Sequence, residues 1–72
     1  MRTTVFEVFY IGGNTGWAVA EFDFHTRDQI GETWYERRKA DAIAEARRRS
    51  ADKAVRIFAR NNRLLRTVIG RA

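Results

Sequence analysis

The side chains of this sequence with the most chemistry to offer are its arginines. Arg47, Arg48 and Arg49 form a run, and Arg56, Arg60 and Arg63 recur around Phe58 a few residues later. A guanidinium presents a planar fork of donors that suits phosphate and carboxylate, and it stacks on flat rings. An aromatic ring among such groups adds a platform on which a nucleobase can stack. Twelve of the fourteen basic residues are arginine, a bias that a GC-rich genome produces as readily as a binding duty does. Their distribution is more telling. Residues 1–36 carry Arg2 and Arg27 against Glu7, Glu21, Asp23, Asp28, Glu32 and Glu36. Residues 37–72 carry twelve basic side chains against Asp41, Glu45 and Asp52. The net charge of +5 is therefore the sum of an acidic first half and a strongly basic second half.

Other chemistry is poorly provided for. His25 lies between Asp23 and Asp28, which are metal-ligand types, but such a set within one short polar segment is more often a surface turn. Gly12-Gly13-Asn14-Thr15-Gly16 lacks the lysine of a phosphate-binding loop and joins two strands rather than a strand and a helix. No nucleophile has a base beside it, and there is no cysteine. The expectation is a binding protein, with no catalytic residue, cofactor, metal or small-molecule substrate. A chain of 72 residues allows one domain, 1–72. Absence of cysteine, of a signal-peptide core after Met1-Arg2-Thr3-Thr4 and of an apolar run of membrane length fits a cytoplasmic protein with no membrane partner.

The elements that must position these groups follow from residue type. Residues 3–11 are β-branched and aromatic almost throughout, and 17–24 read as a return strand after the glycine-rich turn. Phe6, Val8 and Tyr10 are expected to match Ala18, Ala20, Phe22 and Phe24 on one face, with Trp17 and Val19 on the other. A hairpin apolar on both sides implies either a helix on one face and a partner on the other, or a bulge that switches faces. Residues 32–36 alternate briefly, as a short third strand does. From Lys39 to Arg47 the residues are strong helix formers, with Ala42, Ile43, Ala46 and Ser50 on one narrow face. Glu45 precedes Arg49 by one helical turn, a favourable pairing. Arg37, Arg38 and Lys39 oppose the positive end of the helix dipole.

Residues 54–60 and 63–69 flank Asn61-Asn62, which predicts a hairpin with a two-residue type I′ turn. The competing reading continues the helix to Arg60. The hairpin gives an α+β fold, with a single helix packed on an antiparallel sheet in the order β-β-β-α-β-β. Counting from the turn, Arg60 faces Arg63 and Phe58 faces Leu65. Val55, Ile57, Ala59, Leu64, Arg66 and Val68 then fall on the core side, and Arg56, Phe58, Arg60, Arg63, Leu65, Thr67 and Ile69 on the other. Arginines directly opposed repel unless an anion lies between them. The expected nucleic-acid or nucleoprotein contact is Arg56, Phe58, Arg60 and Arg63, extended by Arg47, Arg48 and Arg49. The plainer reading is a solvated face on which arginine stems cover Phe58 and Leu65. Phe9, Trp17, Trp34 and Tyr35 are candidates for a protein interface, in a homodimer or against another protein.

Gly16-Trp17-Ala18-Val19, Ala40-Asp41-Ala42-Ile43-Ala44-Glu45-Ala46 and Val55-Arg56-Ile57 before a polar turn and Arg63 resemble a family of small bacterial domains of unknown function. The resemblance spans nearly the whole chain and implies the order hairpin, short strand, helix, hairpin, with no activity attached. The sequence departs from that pattern in its longer segment from Phe24 to Glu32 and in Asn62, where glycine is usual. In size and architecture the chain is also similar to small phage-encoded inhibitors, some anti-CRISPR proteins among them, at the level of fold alone.

Overall fold

The fold is seen in a computed structural model that describes residues 3–70. Met1, Arg2, Arg71 and Ala72 lie outside the described residues, and with them the reading made of the N-terminal start. Strands β1 (Thr4–Gly12), β2 (Gly16–Asp23) and β3 (Gln29–Glu36) precede helix α1 (Lys39–Ser50), and β4 (Ala54–Phe58) and β5 (Leu64–Ile69) follow it. This is the expected α+β order, and residues 54–58 are strand rather than an extension of the helix. β3 begins three residues earlier than expected. Gln29 and Ile30 pair with Phe22 and Glu21 across a bulge, where Gly31 takes a φ of 75°.

The five strands form one sheet in the order β3-β2-β1-β4-β5. It is not wholly antiparallel: β4 pairs with β1 in parallel, through Phe6↔Val55, Glu7↔Arg56 and Val8↔Ile57. Direction along the chain explains this. Two hairpins leave β1 and β3 running the same way, and the helix returns the chain so that β4 repeats that direction. β2 already has a neighbour on each side, so β4 meets only a strand parallel to itself. The helix, 12 residues and about 18 Å long, crosses far enough to deliver β4 to the free edge of β1.

One face of the sheet carries the helix. Phe6, Val8, Trp17, Val19, Val55 and Ile57 form the core with Ala42 and Ala46 of α1. The narrow face of small residues lets the helix lie close against the strands. Glu45, at the margin of that face, is held between Arg48 and Arg49. In the first hairpin, β1 pairs with β2 so that Phe6, Val8 and Tyr10 oppose Glu21, Val19 and Trp17. The expected match of Phe6, Val8 and Tyr10 with the Ala18–Phe22 set is therefore corrected: that set belongs to the opposite face. Gly16 makes the hairpin possible. Its φ is 84°, and a Cβ there would lie 2.7 Å from the Arg37 carbonyl oxygen.

The second hairpin turns differently from the expected type I′ geometry. Asn62 N–H donates to the Ala59 carbonyl, and of the two asparagines only Asn62 has positive φ, at 66°. Arg60 and Asn61 are thus the central residues of the turn, followed by a left-handed Asn62, the three-residue loop that ends in a bulge. Ala59 pairs with Arg63, so Arg60 and Arg63 are not opposed. The register from Ala54↔Ile69 to Ile57↔Arg66 is as expected, but Phe58 then meets Leu64 rather than Leu65. Leu65 is the extra residue, and Leu64 moves to the face of Phe58. No helix among the described residues is long and apolar enough to cross a membrane.

Candidate nucleic-acid interface

Among the described residues, no second layer covers the face of the sheet opposite the helix. Alternation places Val5, Glu7 and Phe9 of β1, Ala18, Ala20 and Phe22 of β2, and Arg56 and Phe58 of β4 on it. The alanines are small enough to be covered by their neighbours. Phe9, Phe22 and Phe58 remain half-buried. The rings of Phe9 and Phe22 pack 6.4 Å apart and tilted, and the Arg56 guanidinium lies 5.8 Å from the Phe58 ring.

Three adjoining depressions run along this face. One, about 320 Å³, is lined by Glu7, Phe9, Phe22, Arg27, Arg56, Phe58 and Asn62. A smaller one of about 110 Å³ shares Glu7, Phe22, Arg27 and Arg56 with it and continues to Val5 and Phe24. The third, about 700 Å³, passes Val5, Phe24 and Lys53 toward Leu64 and Thr67. Arg27 and Arg56 line all three.

Arg27 comes to this face from the acidic half of the chain, through a tight loop between β2 and β3. The Asp23 carboxylate accepts the amides of His25 and Thr26 at 2.9 and 3.0 Å. The backbone closes with Asp23 N to Asp28 O and Arg27 N to Asp23 O, both 2.9 Å. Arg27 is left with a φ of 68°, which costs a residue with a Cβ about 1 kcal/mol. His25, Asp23 and Asp28 therefore serve a turn. Among the described residues no group of three His, Cys, Asp or Glu side chains is placed to hold a metal.

Glu7 lines the 320 Å³ depression and the smaller one beside it. Burial raises its pKa above the ordinary carboxylate value, and the nearby positive charges of Arg56 and Arg27 oppose that rise. Among the described residues its one close polar partner is Arg56, with 3.9 Å between Nη1 and Oε2. That is a charge contact, too long for a hydrogen bond. In the 320 Å³ depression two guanidiniums stand against one carboxylate, a net positive charge, whereas the smaller depression adds the Asp23 carboxylate.

The arginine cluster read from the sequence is divided. Arg56 and Phe58 stand on the open face. Arg60 instead covers the Tyr10 ring, 4.9 Å from its centre, on the helix side. There Tyr10 meets Trp17 edge-on at 5.1 Å, and Lys39 lies 5.3 Å over Trp17. That contact gives Lys39 a partner despite its unfavourable place in the helix dipole. Arg63 is exposed beyond the turn. Arg48 and Arg49 pair with Glu45, and Arg49 also covers the Trp34 ring at 4.0 Å. Arg47 is exposed on α1. The helix arginines therefore lie on the layer opposite Arg56 and do not extend its patch.

The aromatic candidates divide too. Trp17, only 6% exposed, is a core residue rather than an interface residue, because its strand face lies under the helix. Trp34 is half-buried beneath Arg49. Tyr35, 58% exposed, and Phe9 belong to the open face. Sequence reasoning missed Arg27, Glu7 and Phe22 as parts of one surface. The alternation Val5, Glu7, Phe9 signals a second face for β1, but nothing local reveals that the loop folds Arg27 over it.

No family model matches the chain, and neither does any curated protein or solved structure.

Proposed function

We propose that this protein is a non-enzymatic binding module for single-stranded nucleic acid, free or within a nucleoprotein complex, held on the uncovered face of its sheet. The observation that carries this reading is the pairing of Arg27 and Arg56 along one groove with Phe9, Phe22 and Phe58. Guanidiniums neutralise phosphates while phenyl rings accept unstacked bases, and every base has a face to stack. A duplex hides those faces, so the strand expected here is single.

Anisotropy of labelled single- and double-stranded oligonucleotides over a salt series tests the proposal. Binding should favour the single strand and weaken steeply with salt. Arg27→Ala and Arg56→Ala should each flatten the slope of log K against log salt by about 0.7, the share of one phosphate. Salt-insensitive binding, or none to DNA or RNA, would sink it.

A second reading, a protein–protein module or homodimer, draws on edge strand β5. Leu64, Leu65 and Ile69 are exposed there, beside a row of backbone groups free to pair. Light scattering that finds a monomer across the micromolar range would count against self-association.

A further inference from the structure

Resting on the nucleic-acid reading of the same groove, we infer that Glu7 makes the site selective for guanine. The carboxylate is a half-buried acceptor in a depression lined, Asn62 apart, by phenyl rings and guanidiniums. Its contact with Arg56, 3.9 Å long, leaves its hydrogen-bonding capacity unused among the described residues. An ionised carboxylate only accepts, and its two oxygens match two donors side by side.

The bases differ sharply in what they offer such a group. Guanine alone has two adjacent donors, N1–H and the N2 amino group, on its pairing edge. The amino group of adenine is flanked by lone pairs at N1 and N7. That of cytosine is flanked by N3, and the N3–H of thymine or uracil lies between two carbonyls. None of these offers the two carboxylate oxygens a pair of donor atoms side by side, although cytosine, with only a C–H on the other side of its amino group, can still give one hydrogen bond. A base stacked over Phe9, Phe22 or Phe58 lies beside Glu7, because all four line the same depression of about 320 Å³. That volume falls within the range of small-ligand pockets. Arg27 and Arg56, on the same wall, are placed for the flanking phosphates. They also offset the repulsion a lone carboxylate would exert on the strand.

The test uses the intact protein and nine-residue oligothymidylates carrying one central guanine, inosine, adenine or cytosine, with a matching ribo series in uridine. A single guanine per strand avoids four-stranded structures. The guanine strand should bind roughly tenfold more tightly than the adenine or cytosine strands, as expected for a bidentate contact. Inosine, which keeps N1–H but lacks the amino group, should fall between. Glu7→Gln should remove the preference, so that its affinities for the guanine, adenine and cytosine strands converge. The inosine series needs no variant and stands even if Glu7→Gln folds poorly. Equal affinity for all central bases, or a preference for adenine or cytosine, would overturn guanine selection and leave the nucleic-acid reading intact. Failure to bind any strand would overturn both.

Discussion

The two faces of the sheet are made from alternate residues of the same strands, yet they differ in what completes them. On one, Val8, Val19, Val55 and Ile57 meet the alanines of α1 and lose nearly all contact with water. On the other, no layer among the described residues covers Phe9, Phe22 and Phe58, and two arginines and a glutamate stand among them. Both faces use cations over aromatic rings. On the helix side Lys39, Arg49 and Arg60 cap Trp17, Trp34 and Tyr10 at the rim of a closed core. On the open side Arg56 lies beside Phe58 within a groove. The same contact thus seals an interior in one place and furnishes a surface in the other.

The largest effect that would break this contrast comes from neighbouring residues of β4. Ile57→Ala removes a buried core side chain and should cost about 2–5 kcal/mol in chemical denaturation, enough to unfold much of so small a domain. Phe58→Ala, one position on and half-buried, should cost only about 1 kcal/mol. It should, however, weaken oligonucleotide binding by about 5- to 150-fold, the loss of one stacked base. Equal stability losses at the two positions would show that the open face is structural.

The arginines sharpen the contrast next. Arg56→Ala should reduce the salt slope of binding, whereas Arg47→Ala, on the helix layer, should leave slope and affinity within error. A comparable drop at Arg47 would move the contact to the other side of the molecule.

Backbone conformation separates fold from function at two further positions. Ala51 has φ 55° and ψ −111° in the turn closed by Lys53 N to Ser50 O at 2.9 Å. That is the first central position of a type II′ turn, which favours glycine. Ala51→Gly and Arg27→Gly should each gain about 1 kcal/mol of stability by removing a Cβ from positive φ. Only Arg27→Gly should weaken binding. Thermal unfolding and anisotropy on the same samples distinguish the two effects.

The smallest effect is a pH dependence. Glu7 has its pKa raised in the folded state, chiefly by burial. Its contribution is therefore most favourable below the unfolded value of about 4.3, and it is lost as pH rises through the higher folded value. Glu7→Gln mimics the neutral form. It should be modestly more stable than the parent at pH 7, with the difference vanishing by about pH 4. A difference that grows on acidification would reverse the sign of this account.

Much of the fold was legible in residue type. The β-branched runs marked strands, the Ala-rich stretch marked the helix, and Asn61-Asn62 marked the second turn. The errors are local and have local causes. Asn61 and Asn62 both tolerate positive φ, so composition does not say which one adopts it. That choice decides whether Leu64 or Leu65 meets Phe58. The parallel pairing of β4 follows from strand direction once three strands precede the helix, although residue type carries no trace of it.

By itself the sequence determined the elements, their order, the charge asymmetry between the halves and the presence of apolar residues on both faces of the first hairpin. Only the tertiary structure decided which charges act together. Arg27, from the acidic half, joins Arg56 because a short loop folds it over the sheet, while Arg47, Arg48 and Arg49 are carried to the opposite layer by the helix. Charge counts along the chain are local, but a surface assembles from residues distant in sequence. The single helix covers one side of the sheet and leaves Glu7, Phe9, Phe22, Arg56 and Phe58 on the side it does not reach.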